Sequence, residues 1–291
     1  MQAISTDKRY SGWVFDAAAI EQVRGILREH AGASRQQLSY RVCEALDWRK
    51  PDGGLKDMSA RVALLRMHRE GLIELPAPRR RYQPMRAFRR RTAQGEPGAW
   101  LEAPLSTLGP VRLELVERRN SGLWNELIDR YHYLGYKPLP GAQLRYLAHA
   151  GVRPVAALGF GAAAWQTAPR DEWIGWDGEQ RRRNLAAVVN NARFLMLPWI
   201  RVPHLASKLL GLAARTLPGH WQARYGYRPV LLETFVDAER FGGTCYRAAN
   251  WVCVGETLGR GKLGDHRLGQ VPVKTVWLYA LTPRWRERLW R

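Results

Sequence analysis

Two carboxylates, Glu233 and Asp237, stand four residues apart in the apolar run that begins at residue 230. Such a pair can bind a divalent metal such as Mg²⁺ or Mn²⁺, or one carboxylate can act as a general base. The continuous apolar run predicts a buried strand, whose alternation places both carboxylates on one face, roughly 13 Å apart. That separation allows a shared metal only if Asp237 has turned off the strand end. The alternative is a structural pair that caps the strand or forms salt bridges with Arg193 or Arg260.

Two further residues have side chains suited to catalysis. Tyr246, in a predicted helix after the break at Gly242-Gly243, is a candidate nucleophile for a phosphotyrosyl link. The alternative is a tyrosine that packs in the core. His132 is a candidate general acid or ligand, against the alternative of a half-buried histidine with satisfied hydrogen bonds. Asp265 and His266 follow a glycine-rich loop and could complete a metal site.

The charge of the chain indicates a polyanionic partner. Its 46 Lys and Arg residues outnumber 26 Asp and Glu, for a net charge of +20. Nucleic acid is the first candidate partner and an acidic membrane surface the second. Arginine dominates over lysine, which suits bidentate contacts with phosphate and guanine, although a GC-rich genome also raises arginine content. The residues predicted to contact nucleic acid are Arg61, Arg66, Arg69, Arg79, Arg80, Arg81, Arg193, Arg260 and Lys262.

Cysteine usage and the lack of long apolar runs limit the class of protein. The three cysteines, Cys43, Cys245 and Cys253, form no CxxC pair, which argues against a disulfide framework and a zinc ribbon. The N-terminal residues contain no apolar core typical of a signal peptide, and no run approaches 18 apolar residues. We therefore expect a cytoplasmic protein that does not cross a membrane.

The first module, residues 12–92, is predicted to be helical. Apolar periodicity indicates helices over residues 16–30 and 58–70, and a capping box at Ser34 and Gln37 opens another between them. A short strand is predicted at residues 72–76, followed by an arginine-rich loop. Three helices, a strand and a basic loop are typical of a winged helix-turn-helix module whose third helix enters the DNA major groove. The alternative is a small helical bundle with a solvated run of charge.

The remainder of the chain predicts a linker and a second domain. Residues 93–109 are rich in Gly, Pro and Ala, as in a linker. Residues 110–291 alternate strand and helix patterns and include one hairpin around Gly151. The fold class is therefore α/β (α+β), with a mixed sheet covered by helices.

The order of these elements, over residues 111–261, resembles the acetyltransferase fold known as the GNAT fold. Enzymes with this fold hold the pyrophosphate of their acyl carrier on a glycine-rich loop at a helix N-terminus. The matching residues here, 198–204, contain two prolines and no glycine. The resemblance therefore extends to a GNAT-like fold and argues against acetyl transfer.

Several stretches taken together resemble the family of the Druantia anti-phage protein DruA, which has transposon-associated relatives. They cover most of the chain and are residues 59–65, 131–136, 191–195, 233–237 and 243–251, with Gly255, Thr257 and residues 259–261. The resemblance implies a DNA-directed role in phage defence or DNA mobility, with other defence-system or mobile-element proteins as partners. It assigns no catalytic residue.

Three functions remain open from the sequence, and whether the protein is an enzyme is one of the open points. The first is a metal-dependent nuclease or transposase-like strand-cleaving enzyme acting on DNA, duplex or single-stranded. The second is a non-catalytic DNA-binding sensor that recruits partners in an anti-phage system. The third and weakest is an acyltransferase.

Overall fold

The computed structural model describes residues 7–50, 53–78, 91–259 and 272–291. The chain divides into two compact units, residues 1–85 and residues 86–291. Each unit has its own hydrophobic core. The sequence placed the linker at residues 93–109, whereas the structure assigns that segment to the second unit.

The first unit contains a hairpin followed by three helices. The elements are β1 (Lys8–Tyr10), β2 (Trp13–Phe15), α1 (Ala17–Glu29), α2 (Arg35–Ala45) and α3 (Asp57–Arg69). β1 and β2 are antiparallel. Ser34 and Gln37 form the predicted capping box, in which each side chain bonds the other residue's backbone amide, so the start of α2 is confirmed.

The end of the first unit differs from the prediction. Residues 72–76 form no strand, so that prediction is wrong. Ile73 and Leu75 are buried, but the Leu75 amide donates to His68 Nδ1 at 3.3 Å, which ties the segment back to α3. The winged-helix assignment rested on this strand and on the loop after it, and residues 79–90 lie outside the described residues. The winged helix therefore stays a prediction.

The second unit is built on a mixed seven-stranded sheet with the order β10-β11-β9-β7-β6-β5-β4. Its strands are β4 (Val111–Leu115), β5 (Gln143–Ala150), β6 (Arg153–Ala162), β7 (Val188–Met196), β9 (Leu231–Asp237), β10 (Val252–Glu256) and β11 (Lys274–Ala280). Within this sheet, only β7 and β9 are parallel neighbours. The mixed α/β class is thus confirmed.

The parallel pair separates part of the way along its length. β7 and β9 pair only from Val188 opposite Leu231 to Asn190 opposite Glu233. Beyond that point β7 continues beside β6 and β9 continues beside β11. The hydroxyl of Thr234 donates to the Asn191 carbonyl at 3.0 Å, so a side chain makes the first bond after the strands part. The carboxyl ends of both strands therefore border a gap in the sheet.

Helices cover both faces of this sheet. They are α4 (Ser121–Tyr131), α5 (Ala168–Ile174), α6 (Gly178–Asn184), α7 (Leu205–Tyr225), α8 (Thr244–Ala248) and α9 (Trp285–Leu289). α5 and α6 are short helices that precede β7. The helix predicted to carry Tyr246 after the break at Gly242-Gly243 begins at Thr244, where Gly243 has φ +68° and lies against the Trp277 ring.

The segment predicted as a linker packs on the second unit. β3 (Leu101–Glu102) pairs in parallel with β8 (Ile200–Arg201). Thr92 donates to the buried carboxylate of Glu126 through its backbone amide and its hydroxyl. Residues 198–204, which match the position of the glycine-rich loop in the GNAT fold, therefore contain the short strand β8. No helix in the described part of the chain is both long and apolar enough to cross a membrane.

Candidate functional site

Glu233, the first sequence candidate, lies in the middle of β9 and is completely buried. Its Oε2 accepts from Arg170 Nη1 at 2.8 Å, and its Oε1 accepts from the Ala164 amide at 2.7 Å. Both side chains of the ion pair have no solvent exposure. Burial raises the pKa of the Glu233 carboxyl, while the Arg170 charge and the Ala164 amide oppose that rise. Glu233 is therefore engaged by two donors and is held away from any ligand in solvent.

Arg170 connects Glu233 to a second carboxylate. Its Nη2 lies 2.7 Å from Asp171 Oδ1, and its Nη1 also donates to the Ala164 carbonyl. Asp171 in turn accepts from Trp176 Nε1 and Arg181 Nη1. This network joins β9 to α5 and α6, an arrangement typical of a structural role.

Tyr246, the candidate nucleophile, lies on the opposite side of β9 from both carboxylates. Its phenol donates to Asn191 Oδ1 at 2.9 Å and lies 3.5 Å from the hydroxyl of Thr234. Thr234 is the next residue after Glu233 on β9, so its side chain lies on the opposite face of the strand. Burial raises the pKa of the Tyr246 phenol above its ordinary value. A buried, hydrogen-bonded phenol of raised pKa is not prepared for nucleophilic attack.

Asp237, His132 and Arg193 come together where β7 and β9 separate. His132 follows the end of α4, Arg193 lies on β7, and Asp237 ends β9. All three surround Tyr133. Burial raises the pKa of the Tyr133 phenol, the Asp237 charge adds to that rise, and the charge of Arg193 lowers it. Asp237 itself is buried and lies 3.5 Å from Arg240 Nε.

Aromatic rings form the solvent-facing side of this group. The Tyr133 ring stacks on His132 at 4.9 Å between centroids and lies 5.5 Å from the Phe241 ring. The Arg240 guanidinium lies 5.4 Å from the centre of the Tyr133 ring. Tyr133 and Phe241 are 40% and 52% exposed, respectively. We refer to His132, Tyr133, Arg193, Asp237, Arg240 and Phe241 as the Tyr133 cluster.

His132 is a neutral hydrogen-bond donor in this cluster. Burial lowers its pKa to about 4, and the Arg193 charge contributes to that effect. Its Nδ1 accepts from the Leu134 amide at 3.2 Å, which leaves the proton of the neutral ring on Nε2. A neutral ring with a fixed tautomer can donate one hydrogen bond at neutral pH.

Arg193 has unused donor capacity. Its Nη1 donates to the Ala192 carbonyl at 2.7 Å, but its buried Nε has no partner in the described structure. Burial also lowers the pKa of Arg193. A buried guanidinium nitrogen without a partner is unfavourable. Arg193 as a whole is partly exposed, so the charge of its guanidinium can act on a phosphate at the surface.

The predicted metal site is not assembled in the described chain. Glu233 and Asp237 lie on the same face of β9, but Glu233 is paired with Arg170 and Asp237 contacts Arg240. Within the described residues, no three His, Cys, Asp or Glu side chains are grouped so as to hold a metal ion. Asp265 and His266 lie outside the described residues.

The predicted nucleic-acid contacts are only partly described. On α3, Arg66 and Arg69 are exposed, whereas Arg61 donates to Asp57 at 2.6 Å. Five predicted contacts lie outside the described residues, namely Arg79, Arg80, Arg81, Arg260 and Lys262.

Four residues of the Tyr133 cluster and the Glu233 network were not predicted from the sequence, namely Tyr133, Phe241, Arg240 and Arg170. The aromatic run around His132 at a helix end was a usable signal for Tyr133. Arg170 gave none, because it pairs with a residue 63 positions away.

The sheet and the helices that cover it define a mixed α/β protein whose structural neighbours include GNAT acetyltransferases. An acetyltransferase of the GNAT family from Streptococcus pneumoniae is 11% identical, covers 59% of this chain and 99% of its own, and has a TM-score of 0.39. An N-acetyltransferase from Staphylococcus aureus Mu50 is 8% identical, with coverage of 60% and 99% and a TM-score of 0.37. Aminoglycoside acetyltransferase AAC(6')-Ib with coenzyme A and kanamycin is 14% identical, with coverage of 62% and 98% and a TM-score of 0.38. Similarity at this level assigns no activity or ligand to the chain.

A match of the sequence to a protein family shows to which family the chain belongs. Residues 66–270 match the family described as Druantia protein DruA. This match spans more than half of the chain, so the chain belongs to the DruA family. Membership indicates a component of an anti-phage system. No curated protein matches the chain.

Proposed function

We propose that the protein is a DNA-binding component of an anti-phage system and that its Tyr133 cluster receives an unpaired nucleotide. The observation that carries this proposal is the combination of two exposed aromatic rings with arginines on the same surface. Tyr133 and Phe241 provide the rings, and Arg193 and Arg240 provide the cations. Stacking on aromatic side chains together with arginine contacts to phosphate is the common mode of single-strand recognition.

Each group in the cluster has a role suited to its environment. The base stacks on the exposed face of Tyr133 or Phe241. The backbone phosphate is bound by the charges of the partly exposed Arg193 and the solvent-exposed Arg240. The neutral His132 donates through Nε2, and the buried Asp237 holds Arg240 beside the Tyr133 ring.

The first unit supports duplex binding in the same proposal. Arg66 and Arg69 are exposed on one side of α3, where no carboxylate of the described chain lies within ion-pair distance of either. Guanidinium groups on an exposed helix are suited to phosphates and guanines of a duplex. Other defence-system proteins would then act on the DNA so bound.

Fluorescence anisotropy with labelled single-stranded and duplex DNA tests this proposal. Replacing Tyr133 by Leu removes one stacking ring, and we expect about 10-fold weaker binding of the single strand, since stacking contributes about 1–3 kcal/mol per base. Trp100→Ala is the matched control, because Trp100 is also exposed and also stacks with an arginine, Arg201, at 4.9 Å. An equal loss in both variants, or no loss in Tyr133→Leu, contradicts the proposed site.

Strand cleavage is a second candidate, favoured by the buried Asp237 carboxylate within the cluster. Asp237 would be one Mg²⁺ or Mn²⁺ ligand and would need further ligands, for which the sequence offers Asp265 and His266. Incubating bound DNA with either metal tests this function. Cleavage by the wild type that is lost in Asp237→Asn, with binding retained, would establish a nuclease. Binding without cleavage would leave the protein a non-catalytic DNA sensor.

A further inference from the structure

A pocket of about 590 Å³ opens at the N-terminal end of α4, in the second unit. Its volume lies in the range of small-molecule sites. Three arginines line it: Arg118 from the loop between β4 and α4, Arg145 from β5 and Arg224 from α7. One carboxylate, Glu117, also reaches its wall, and that carboxylate lies 3.7 Å from Arg119 Nε. The charge facing the pocket is therefore positive.

Arg145 is held in place by neutral groups. Its Nη1 donates to Asn125 Oδ1 at 2.7 Å and its Nη2 donates to Ser121 Oγ at 3.0 Å. The guanidinium lies 5.1 Å from the centre of the Trp124 ring, which is buried. A guanidinium fixed by hydroxyl, amide and aromatic groups keeps its full charge for a ligand.

The other two arginines have no counter-ion in the structure. Arg118 and Arg224 are exposed, and neither forms an ion pair with any residue in the described ranges. The proximity of Arg224 is one cause that lowers the pKa of Arg145, after burial. Like charges that converge on one cavity repel one another, and a bound anion relieves that repulsion.

The start of α4 adds further donors to the pocket. The side chain of Asn120, the residue before the helix, accepts from the Glu117 amide at 2.7 Å and makes no capping bond to α4. The first-turn amides of α4 therefore keep their donor capacity, and Ser121 and Gly122 line the pocket. The positive end of a helix of 11 residues reinforces the arginine charges.

We propose that this pocket binds a phosphate group through Arg118, Arg145 and Arg224. The phosphate belongs to a free nucleotide or to the end of a nucleic-acid strand, and both present the same dianion. This site lies at the opposite end of α4 from the Tyr133 cluster, roughly 16 Å away along the helix. It does not depend on the proposed function, because phosphate binding here can exist without stacking at Tyr133.

The test is isothermal titration of the full chain with inorganic phosphate, with thymidine monophosphate, and with an oligonucleotide carrying either a 5′-phosphate or a 5′-hydroxyl. The double variant Arg118→Gln/Arg224→Gln removes the two exposed arginines without disturbing Arg145. Arg215→Gln is the matched control, because Arg215 is exposed on the same helix as Arg224 and lies outside the pocket.

We expect the double variant to bind thymidine monophosphate at least 10-fold more weakly and the control to bind within 2-fold of the wild type, at about 1.4 kcal/mol per factor of ten. A 5′-phosphate preference that the double variant loses identifies the strand end as the source. Binding of the mononucleotide without that preference identifies a free nucleotide. Absence of binding to all phosphate probes at 10 mM, about 100-fold above a weak site's Kd of 0.1 mM, overturns the proposal. An equal loss in Arg215→Gln does so as well. Loss of DNA binding in Tyr133→Leu has no bearing on this outcome.

Discussion

Replacing Glu233 by Gln distinguishes a structural carboxylate from a catalytic one. Both partners of the Glu233 carboxylate, Arg170 Nη1 and the Ala164 amide, are donors. A glutamine amide therefore points its NH₂ group at a donor in either orientation. The substitution also leaves the Arg170 charge without one of its two carboxylates in a site with no solvent exposure.

The expected magnitude follows from that geometry. Removing one partner of a buried ion pair destabilises a protein by about 3–5 kcal/mol. For a unit the size of residues 86–291, each kcal/mol lowers Tm by about 2–4 °C, so we expect a fall of about 10 °C. Asp237→Asn is the matched control: Asp237 is also buried, but its partner Arg240 is 60% exposed and stays hydrated when the carboxylate is removed, so no buried charge is left unpaired and we expect a change below about 1 kcal/mol.

Calorimetry or circular dichroism of the two variants measures the difference. Replacing both Arg170 and Glu233 by Met should recover part of the lost stability, because no unpaired buried charge remains, while the Ala164 amide and carbonyl lose their partners. If Glu233→Gln melts with the wild type and abolishes DNA cleavage, Glu233 is catalytic and the structural interpretation is wrong.

Three further predictions concern the core and the cluster. Tyr246→Phe removes the hydrogen bond to Asn191 and should lower the free energy of unfolding by about 1 kcal/mol while DNA binding is retained. A covalent protein–DNA adduct that forms in the wild type and is lost in this variant would show that the phenol is a nucleophile and contradict its role in the core. The pKa of His132 is about 4 in the folded protein and about 6.5 in the unfolded chain. The unfolded chain therefore binds the proton first, so the free energy of unfolding falls as the pH drops from about 6.5 towards 4. Chemical denaturation should show at most about 2 kcal/mol more loss between pH 7 and pH 5 in the wild type than in His132→Gln, and equal losses would refute the lowered pKa. A Cβ at Gly159 would lie 2.9 Å from the Trp124 ring, so Gly159→Ala should destabilise the protein by about 1–3 kcal/mol. Gly219 lies inside α7 with open space around it, so Gly219→Ala should stabilise the protein slightly. A higher Tm for Gly159→Ala than for Gly219→Ala would contradict this packing.

The sequence predicted features that depend on local patterns. The capping box at Ser34, the buried strand carrying Glu233 and the hairpin around Gly151 all follow from spacing within a few residues. Alternation along β9 also placed Glu233 and Asp237 on one face. These features are local, so periodicity and capping were sufficient.

The partners of those residues could not be predicted in the same way. Alternation along β9 predicts the face on which Glu233 lies. It does not predict that Arg170 packs against that face and pairs with Glu233. The separation of β7 from β9 brings together Arg193 and Asp237, which are 44 positions apart, and no local pattern encodes that meeting. The exposure of Tyr133 after α4 and of Phe241 after β9 likewise depends on how these elements pack together, which is a property of the assembled sheet.

The fluorescence of 2-aminopurine placed within a bound single strand reports whether a base stacks on Tyr133, because stacking on an aromatic ring quenches it. We expect strong quenching with the wild type and with Trp100→Ala, and little quenching with Tyr133→Leu under conditions where all three are saturated with DNA. Equal quenching in Tyr133→Leu, or binding without quenching in the wild type, would contradict the assignment of the Tyr133 cluster as the nucleotide site.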